Sequence, residues 1–380
     1  MEELMEVDPF LSPEFWTDVS IKLQSSDEGL LYTALTQIRA KVATTNPPID
    51  EVVGAGLVPM MVGFLETASI RIQQEASWIL INVAFGSTAQ AGSIFAAGGV
   101  SKLLRLLESP DPMMANQCAW VLSNLCGDGI NFRDALLAEG VVAILEKLLL
   151  SSHNLELRLM QNLVWLALNL SRHDSLRLSS VRSLFRPMLD LLVYEDRKLL
   201  VDVSWFFSNL VTNKIELPMD ALASILSRFQ PILFREDLYV VESILHMIIS
   251  RLATMTCRYL ASTFPTVITQ MYEGGLIDNL KALFEAPGAG WKPQREAIWM
   301  IKNIFRRGHI QQIRVFADDD ELLKSMIKML RSLILSNHHN RHRNVIALKL
   351  DEEVENLLDH VKDEILLGVR IFLQEHFPDK

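Results

Sequence analysis

The stretch from Asn116 to Gly140, NQCAWVLSNLCGDGINFRDALLAEG, decides the fold because its pattern recurs along most of the chain. At its centre are Trp120 and Asn124. Residues four apart on a helix project from the same face, so this spacing places an indole and a carboxamide side by side. The pair recurs in four other apolar stretches, as Trp78 with Asn82, Trp165 with Asn169, Trp205 with Asn209, and Trp299 with Asn303. Such recurrence indicates a repeated helical unit.

Glycines mark the same period. Gly56, Gly98 and Gly140 are each 42 residues apart, and successive Trp intervals are 42, 45 and 40 residues, followed by one of 94 that fits two units. Periods of about 40 to 47 residues with two or three helices are typical of armadillo and HEAT repeats. We therefore predict an all-α fold, an armadillo-repeat right-handed superhelical solenoid of about eight repeats, with a concave surface lined by the last helix of each repeat.

Three segments are expected along the chain. Residues 1–29 form an acidic N-terminal segment and cap, residues 30–345 the repeat array, and residues 346–380 the C-terminal capping helices. The cap is predicted from four large apolar residues, namely Phe10, Leu11, Phe15 and Trp16. The least regular part of the array is predicted between residues 214 and 272.

Composition excludes several classes of protein. Hydrophobic residues make up 49% of the chain and charged residues 22%, which is typical of a folded protein rather than a disordered one. No stretch approaches the roughly 18 apolar residues of a membrane span, and the first ten residues lack the layout of a secretory signal. The net charge of -10 argues against binding to nucleic acid or an anionic membrane and favours a basic partner.

Catalytic and metal sites are not expected. The three cysteines, Cys118, Cys126 and Cys257, show no metal-ligand spacing and are predicted to be buried thiols. The closest histidines lie among arginines in NHHNRHR, from Asn337 to Arg343, and the glycines of Ala286 to Gly290 match no phosphate-binding pattern. We predict no catalytic residue, no metal and no cofactor.

A row of Trp and Asn pairs can bind an extended peptide. A strand rises about 3.3 Å per residue and packed helices lie roughly 8 to 10 Å apart, so each repeat meets two or three peptide residues. Asn can bond both the N–H and the C=O of a ligand backbone. Parallel indoles of neighbouring repeats would form slots for Lys or Arg stems, with about 0.5 to 2 kcal/mol per cation–π contact. The alternative for any single pair is a core Trp beside a satisfied Asn.

The chain resembles importin alpha, the armadillo adaptor that recognises nuclear localisation signals. The resemblance covers about residues 30–307 and is strongest from Ile72 to Gly140, together with PPIDEVV, residues 47–53. In that family the Trp-x-x-x-Asn motif lines a major and a minor peptide site. The resemblance implies a major site of Trp78, Asn82, Gly86, Gln117, Trp120, Asn124, Asp128, Trp165, Asn169, Trp205 and Asn209, and a degenerate minor site of Trp299 and Asn303. Gly86 and Asp128 would grip the key ligand lysine.

Some residues depart from the family pattern. Phe85 and Ala91 stand where the family usually has small or hydroxylated residues near that lysine. The family binds importin beta through a basic N-terminal segment, whereas the first forty residues here are acidic and offer only Lys22 and Arg39, which makes importin beta a doubtful partner.

The resemblance implies an adaptor of cytoplasm and nucleus that binds basic signals for nuclear import. The first alternative is a scaffold that sequesters basic-motif proteins without importin beta. The second is an armadillo scaffold for acidic or helical partners, which resembles beta-catenin in architecture.

Overall fold

The computed structural model describes residues 13–212 and 276–285, together with positions 225, 228, 319, 321, 322, 324 and 325. The chain divides into two compact units, Met1–Leu191 and Leu192–Lys380. Every regular element among the described residues is helical, which confirms the all-α class.

The described helices of the first unit form two N-terminal helices followed by triplets. The N-terminal pair is α1 (Pro13–Leu23) and α2 (Glu28–Val42). The triplets are α3 (Ile49–Gly54), α4 (Leu57–Phe64) and α5 (Ile70–Phe85); α6 (Thr88–Ala96), α7 (Gly99–Leu107) and α8 (Pro112–Asp128); and α9 (Ile130–Ala138), α10 (Val141–Leu150) and α11 (Leu157–Arg172). Two short helices follow, α12 (Leu178–Val181) and α13 (Phe185–Asp190). In the second unit the structure describes α14 (Arg197–Thr212) and α15 (Leu276–Glu285).

Glycine separates the first and second helix of each triplet, as the sequence predicts. Gly56, Gly98 and Gly140 have φ values of 68°, 71° and 84° and directly precede α4, α7 and α10. Only glycine enters this left-handed region without a steric penalty. The 42-residue spacing of these glycines therefore reflects one backbone turn used three times.

The third helices of the triplets pack in one continuous layer. Helix α5 packs against α2 and α8, and α8 packs against α11. Their apolar stripes are fully buried, as at Leu80, Leu122 and Leu166. A single triplet cannot bury these stripes alone, so neighbouring repeats supply the core.

The start of α8 shows how the sequence ends one helix and begins the next. Asp111 is the N-cap, and its Oδ1 accepts a hydrogen bond from the backbone N–H of Met114 at 2.7 Å. Pro112 occupies the first helical position, where its missing N–H costs nothing. The break between α7 and α8 therefore ends at Asp111 and Pro112.

The N-terminal cap is partly described. Helix α1 packs on α2, Trp16 is buried, and the rings of Phe15 and Trp16 meet edge to face at 5.0 Å. These contacts cover one end of the layer. Phe10 and Leu11 lie outside the described residues.

In the second unit, side-chain contacts also join residues about one repeat apart in the sequence. Lys281 on α15 lies 3.0 Å from the carboxylate of Asp319, and Ser325 donates a hydrogen bond to Glu285 at 2.8 Å across 40 residues. The Asp319 carboxylate raises the pKa of Lys281. The repeat period therefore continues beyond the first unit. The expected total of about eight repeats, most of the irregular region and the C-terminal capping helices fall outside the described residues.

Among the described helices, none combines the length and the apolar character that a membrane crossing requires.

We expect Gly98→Ala to lower the stability by about 1 kcal/mol, because alanine must adopt a positive φ there. A Cβ at Gly98 would meet no atom within 4 Å, so backbone strain alone is tested. Thermal unfolding followed by far-UV circular dichroism measures the effect. The matched control is Gly63→Ala inside α4, which also has open space around its Cβ position, and which should stabilise the protein by about 0.5 to 1 kcal/mol. Equal effects of the two substitutions would contradict the account.

Candidate functional site

Three of the Trp and Asn pairs lie on the third helices of consecutive triplets in the first unit. Trp78 and Asn82 lie on α5, Trp120 and Asn124 on α8, and Trp165 and Asn169 on α11. The three indoles are half-buried, so each exposes part of its ring. We call the region formed by these six residues, of which Asn169 is buried, the Trp/Asn face.

The indoles of Trp78 and Trp120 contact each other. Their ring centroids are 6.0 Å apart and the rings are inclined by 78°, an edge-to-face arrangement. The expectation of parallel indoles with a slot between them is therefore wrong for this pair. Aromatic quadrupoles favour the edge-to-face contact over a parallel sandwich. A ligand stem must lie on the exposed parts of these rings or separate them.

The Asn amides are tethered to main-chain carbonyls. Asn124 Nδ2 donates to the carbonyl of Ile81 on the preceding third helix at 3.2 Å, and Asn169 Nδ2 donates to that of Ser123 at 2.8 Å. Asn82 Nδ2 instead donates within its own helix, to the carbonyl of Trp78 at 3.0 Å. These bonds fix which end of each carboxamide is occupied by the protein.

Asn169 is the most confined of these three carboxamides. The residue is 1% exposed, and its Oδ1 has no hydrogen-bond partner in the described part of the chain. A Cβ built on Gly127 would lie 3.3 Å from Asn169 Nδ2, so Gly127 leaves room for the amide. Sequence reasoning missed Gly127, although its position seven residues after Trp120 places it on the same helix face.

Asp128, which directly follows Gly127, adds a carboxylate. It is the last residue of α8, and its Oδ1 accepts a hydrogen bond from Thr88 Oγ1 of α6 at 3.3 Å. Its Oδ2 is buried and has no hydrogen-bond partner among the described residues. Thr88 was also missed, because a threonine at the start of a helix carries no signal of a partner 40 residues away.

Gly86 ends α5 at a crowded turn. A Cβ there would lie 2.0 Å from Gln90 Oε1, which itself accepts a hydrogen bond from the backbone N–H of Ser87 at 2.7 Å. Ser87 and Gln90 form a capping box at the start of α6, and Gln90 Nε2 donates to Asp50 at 2.7 Å. The turn is thus held on both sides.

Gln117 lies inside rather than on the surface. The residue is 2% exposed, and its Oε1 accepts a hydrogen bond from Ser77 Oγ of α5 at 2.6 Å. This buried bond joins α5 and α8. Its donor lies one residue before Trp78, and its acceptor lies three residues before Trp120. Its position fixes the spacing beneath Trp78 and Trp120.

The remaining predicted site residues lie elsewhere. Trp205 and Asn209 lie on α14 in the second unit, where both are half-buried. Trp299 and Asn303 fall outside the described residues. The major site is therefore described as one surface only for the pairs on α5, α8 and α11.

Two arginines take part in the contacts between α2 and α5. Arg39 Nε lies 2.7 Å from Glu75 Oε2, and the Arg71 guanidinium lies 4.0 Å from the centre of the Tyr32 ring. Burial raises the pKa of the Glu75 carboxyl, while Arg39 and Arg71 oppose this shift. Arg39 is therefore paired with a carboxylate, and Arg71 stacks on an aromatic ring, where α2 packs against α5.

The described cysteines and metal-ligand residues offer no reactive centre. Cys118 and Cys126 are buried, burial raises the pKa of the Cys118 thiol, and burial raises the pKa of the Cys126 thiol to about 12 against the opposing charges of Arg133 and Arg172. Within residues 13–212 and the other described positions, no cluster of His, Cys, Asp and Glu could hold a metal ion. The expected buried thiols are confirmed for these two residues, and Cys257 falls outside the described residues.

Comparison with known proteins assigns the repeats. The family described as Armadillo/beta-catenin-like repeat matches residues 45–85 and 87–127, which coincide with the first two triplets. Importin subunit alpha-3 of Caenorhabditis elegans is 41% identical over 190 residues, 49% of this chain and 37% of that protein. Residues 45–127 therefore match two armadillo repeats, and about half of this chain is similar to importin alpha subunits. Importin subunit alpha-1b of Oryza sativa is 30% identical over 192 residues, 50% of this chain and 35% of that protein.

The similarity to importin alpha covers part of each relative. The chain spans less than two fifths of the length of these two importin alpha subunits. An engineered protein of known crystal structure superposes with a TM-score of 0.70 at 17% identity over 96% of this chain and 95% of that one, which shows likeness of fold alone. Neither relative, nor the repeat family, is named for an enzymatic activity, in agreement with the prediction of a non-enzymatic protein.

We expect neither Cys118 nor Cys126 to react with a thiol reagent at pH 8 in the native importin alpha-like protein. Both are buried, and their raised pKa values keep the thiolate fraction negligible. A Cys257→Ser variant titrated with Ellman's reagent measures this, and both thiols should react once guanidinium unfolds the chain. Rapid stoichiometric labelling of the folded variant would contradict the described burial.

Proposed function

We propose that this chain binds extended Lys/Arg-rich segments across the Trp/Asn face, as an adaptor for proteins that carry nuclear localisation signals. The similarity to proteins named importin alpha subunits supports this, as does the row of Trp and Asn pairs on α5, α8 and α11. The adaptor would then act in nuclear protein import and be found in both cytoplasm and nucleus.

The observation that carries the proposal is a pair of buried acceptors without donors. Asn169 Oδ1 and Asp128 Oδ2 have no hydrogen-bond partner among the described residues, and Gly127, which lies against the Asn169 amide, directly precedes Asp128. A buried acceptor left without a partner costs about 1 to 3 kcal/mol, more when it is charged. A ligand whose backbone N–H and ammonium or guanidinium group displace the atoms that cover these oxygens would supply the missing donors.

The Trp side chains would supply apolar and cation–π contacts to the Lys and Arg side chains of the ligand. The half-buried rings of Trp78 and Trp120 expose apolar surface beside Asn82 and Asn124. Lys and Arg stems cover such surface while their charged ends remain available to Asp128. Each cation over an indole face contributes about 0.5 to 2 kcal/mol. Basic side chains therefore gain from both kinds of contact.

A sequestering scaffold is the second candidate. The observation that favours it is the N-terminal pair of helices, in which α1 packs on α2 and carries Glu14 and Asp18 in an acidic stretch. These two helices offer no concentration of basic residues for importin beta. Such a scaffold would hold basic segments on the Trp/Asn face without handing them to a carrier.

The proposal predicts that a labelled Lys/Arg-rich peptide binds the wild type and binds Asp128→Asn about ten- to a hundredfold more weakly. The substitution keeps the shape but removes a charge-assisted hydrogen bond worth about 1.5 to 3 kcal/mol. Fluorescence anisotropy at fixed ionic strength measures both affinities. The double variant Trp120→Ala, Asn124→Ala should also lose affinity.

The matched control for that titration is Glu139→Gln, which removes one exposed charge at the end of α9. Its affinity should stay within about twofold of the wild type, because an exposed charge is screened by salt. Equal binding by the wild type and by the Trp120→Ala, Asn124→Ala variant would refute the proposal.

Immobilised importin beta distinguishes transport from sequestration. The transport proposal expects the chain, loaded with the same basic peptide, to be retained on the importin beta matrix. Retention should persist in Trp120→Ala, Asn124→Ala, since the Trp/Asn face serves the peptide. Peptide binding without any retention would select the scaffold instead.

A further inference from the structure

An aromatic side chain extends the stripe of the first Trp pair. On α5, Trp78, Asn82 and Phe85 lie at positions i, i+4 and i+7, which share one helix face. Phe85 is 79% exposed, more than any other large apolar side chain in the described residues. A single exposed apolar residue needs no explanation by itself. The position of Phe85 on the same helix face as Trp78 and Asn82 does need an explanation.

Phe85 and Asp128 lie along the same edge of the Trp/Asn face. Thr88 follows Phe85 by three residues and donates the hydrogen bond that Asp128 Oδ1 accepts at 3.3 Å. Three residues of backbone span at most about 10 Å, so the Cα atom of Phe85 lies within that distance of the Cα atom of Thr88. On α8 the position equivalent to Phe85 is Gly127, which has no side chain where α5 presents a ring, and Asp128 follows it directly.

The turn that carries Phe85 is held in place. Gln90 folds back over Gly86, accepts from the backbone N–H of Ser87 at 2.7 Å, and donates to Asp50 at 2.7 Å. The end of α5 therefore has no need to reorganise when a ligand arrives. A contact made by a pre-organised side chain loses less entropy on binding.

The spacing of the two helices matches alternate residues of a strand. Neighbouring packed helices lie roughly 8 to 10 Å apart, and side chains on one side of an extended peptide recur about every 6.6 to 6.8 Å. The difference is within the reach of flexible side chains. Two ligand residues separated by one other residue can therefore meet Asp128 and Phe85 at the same time.

We propose that Phe85 is a specificity-determining contact: it binds the ligand residue two positions from the lysine held by Asp128 and selects a large apolar or aromatic side chain there. This inference rests on the proposed function, since it requires an extended basic ligand. A ligand selected by Phe85 therefore differs from a uniformly basic segment. A phenyl ring buried against an apolar partner removes both surfaces from water, whereas a lysine there must give up part of its hydration.

Short peptides with a single lysine test the inference without ambiguity of register. Each is nine residues long, carries Lys at the centre and Ser elsewhere, and bears Phe one position away, two positions away, or nowhere. Because the direction of the ligand is open, Phe is placed on either side in separate peptides. Binding to the wild type, Phe85→Ser, Asp128→Asn and Leu150→Ser is measured by competition with the labelled basic peptide of the earlier titration.

We expect one of the two peptides with Phe two positions from Lys to bind the wild type about three- to tenfold more tightly than the peptide without Phe. Phe85→Ser should abolish that gain and leave the peptide without Phe unchanged. Leu150→Ser, which removes an exposed leucine at the end of α10, should keep the gain. Asp128→Asn should weaken all the peptides to a similar degree.

Two results would overturn the inference and leave the proposed function standing. One is the absence of any gain from Phe at two positions; the other is a gain that survives Phe85→Ser, in either case with binding that still depends on Asp128. Failure of the labelled basic peptide itself to bind the wild type is a different outcome, which removes the proposed function and the inference together.

Discussion

The arrangement of the Trp/Asn face depends on hydrogen bonds that join each third helix to the one before it. Asn124 and Asn169 donate to backbone carbonyls of the preceding helix, and the buried bond from Ser77 to Gln117 lies beneath the first two indoles. Each bond spans one repeat in sequence. A polar group buried without such a partner would cost about 1 to 3 kcal/mol, so these bonds select one offset between neighbouring helices. The positions of the indoles follow from that offset.

The amide N–H groups of Asn124 and Asn169 donate to carbonyls of the protein itself. The groups left for a ligand are therefore hydrogen-bond acceptors. Asn169 Oδ1 and Asp128 Oδ2 are both buried acceptors without a hydrogen-bond partner among the described residues. A ligand gains from presenting hydrogen-bond donors and positive charge near Asp128 and loses by presenting carboxylates there. Electrostatic complementarity of this kind contributes specificity as well as affinity.

The sequence was sufficient for the repeat, the turn glycines and the residues of the face. These follow from local rules: a 42-residue spacing of Gly56, Gly98 and Gly140, and the i, i+4 geometry of a helix. The contacts of Thr88 with Asp128 and of Gly127 with Asn169 were not predictable in that way. They depend on how far one repeat is displaced along its neighbour, which no spacing within a single helix encodes. The edge-to-face indoles differ from the expected parallel pair for the same reason, since ring inclination is set by packing across two helices.

The contact between Trp78 and Trp120 also makes the protein its own optical reporter. Two indoles with centroids 6.0 Å apart and inclined by 78° are close enough for their electronic transitions to couple, which shapes ellipticity in the aromatic absorption band. Anything that inserts between the rings changes their separation and mutual angle. Occupancy of this part of the molecule can therefore be read without a dye, from the light absorbed by two side chains.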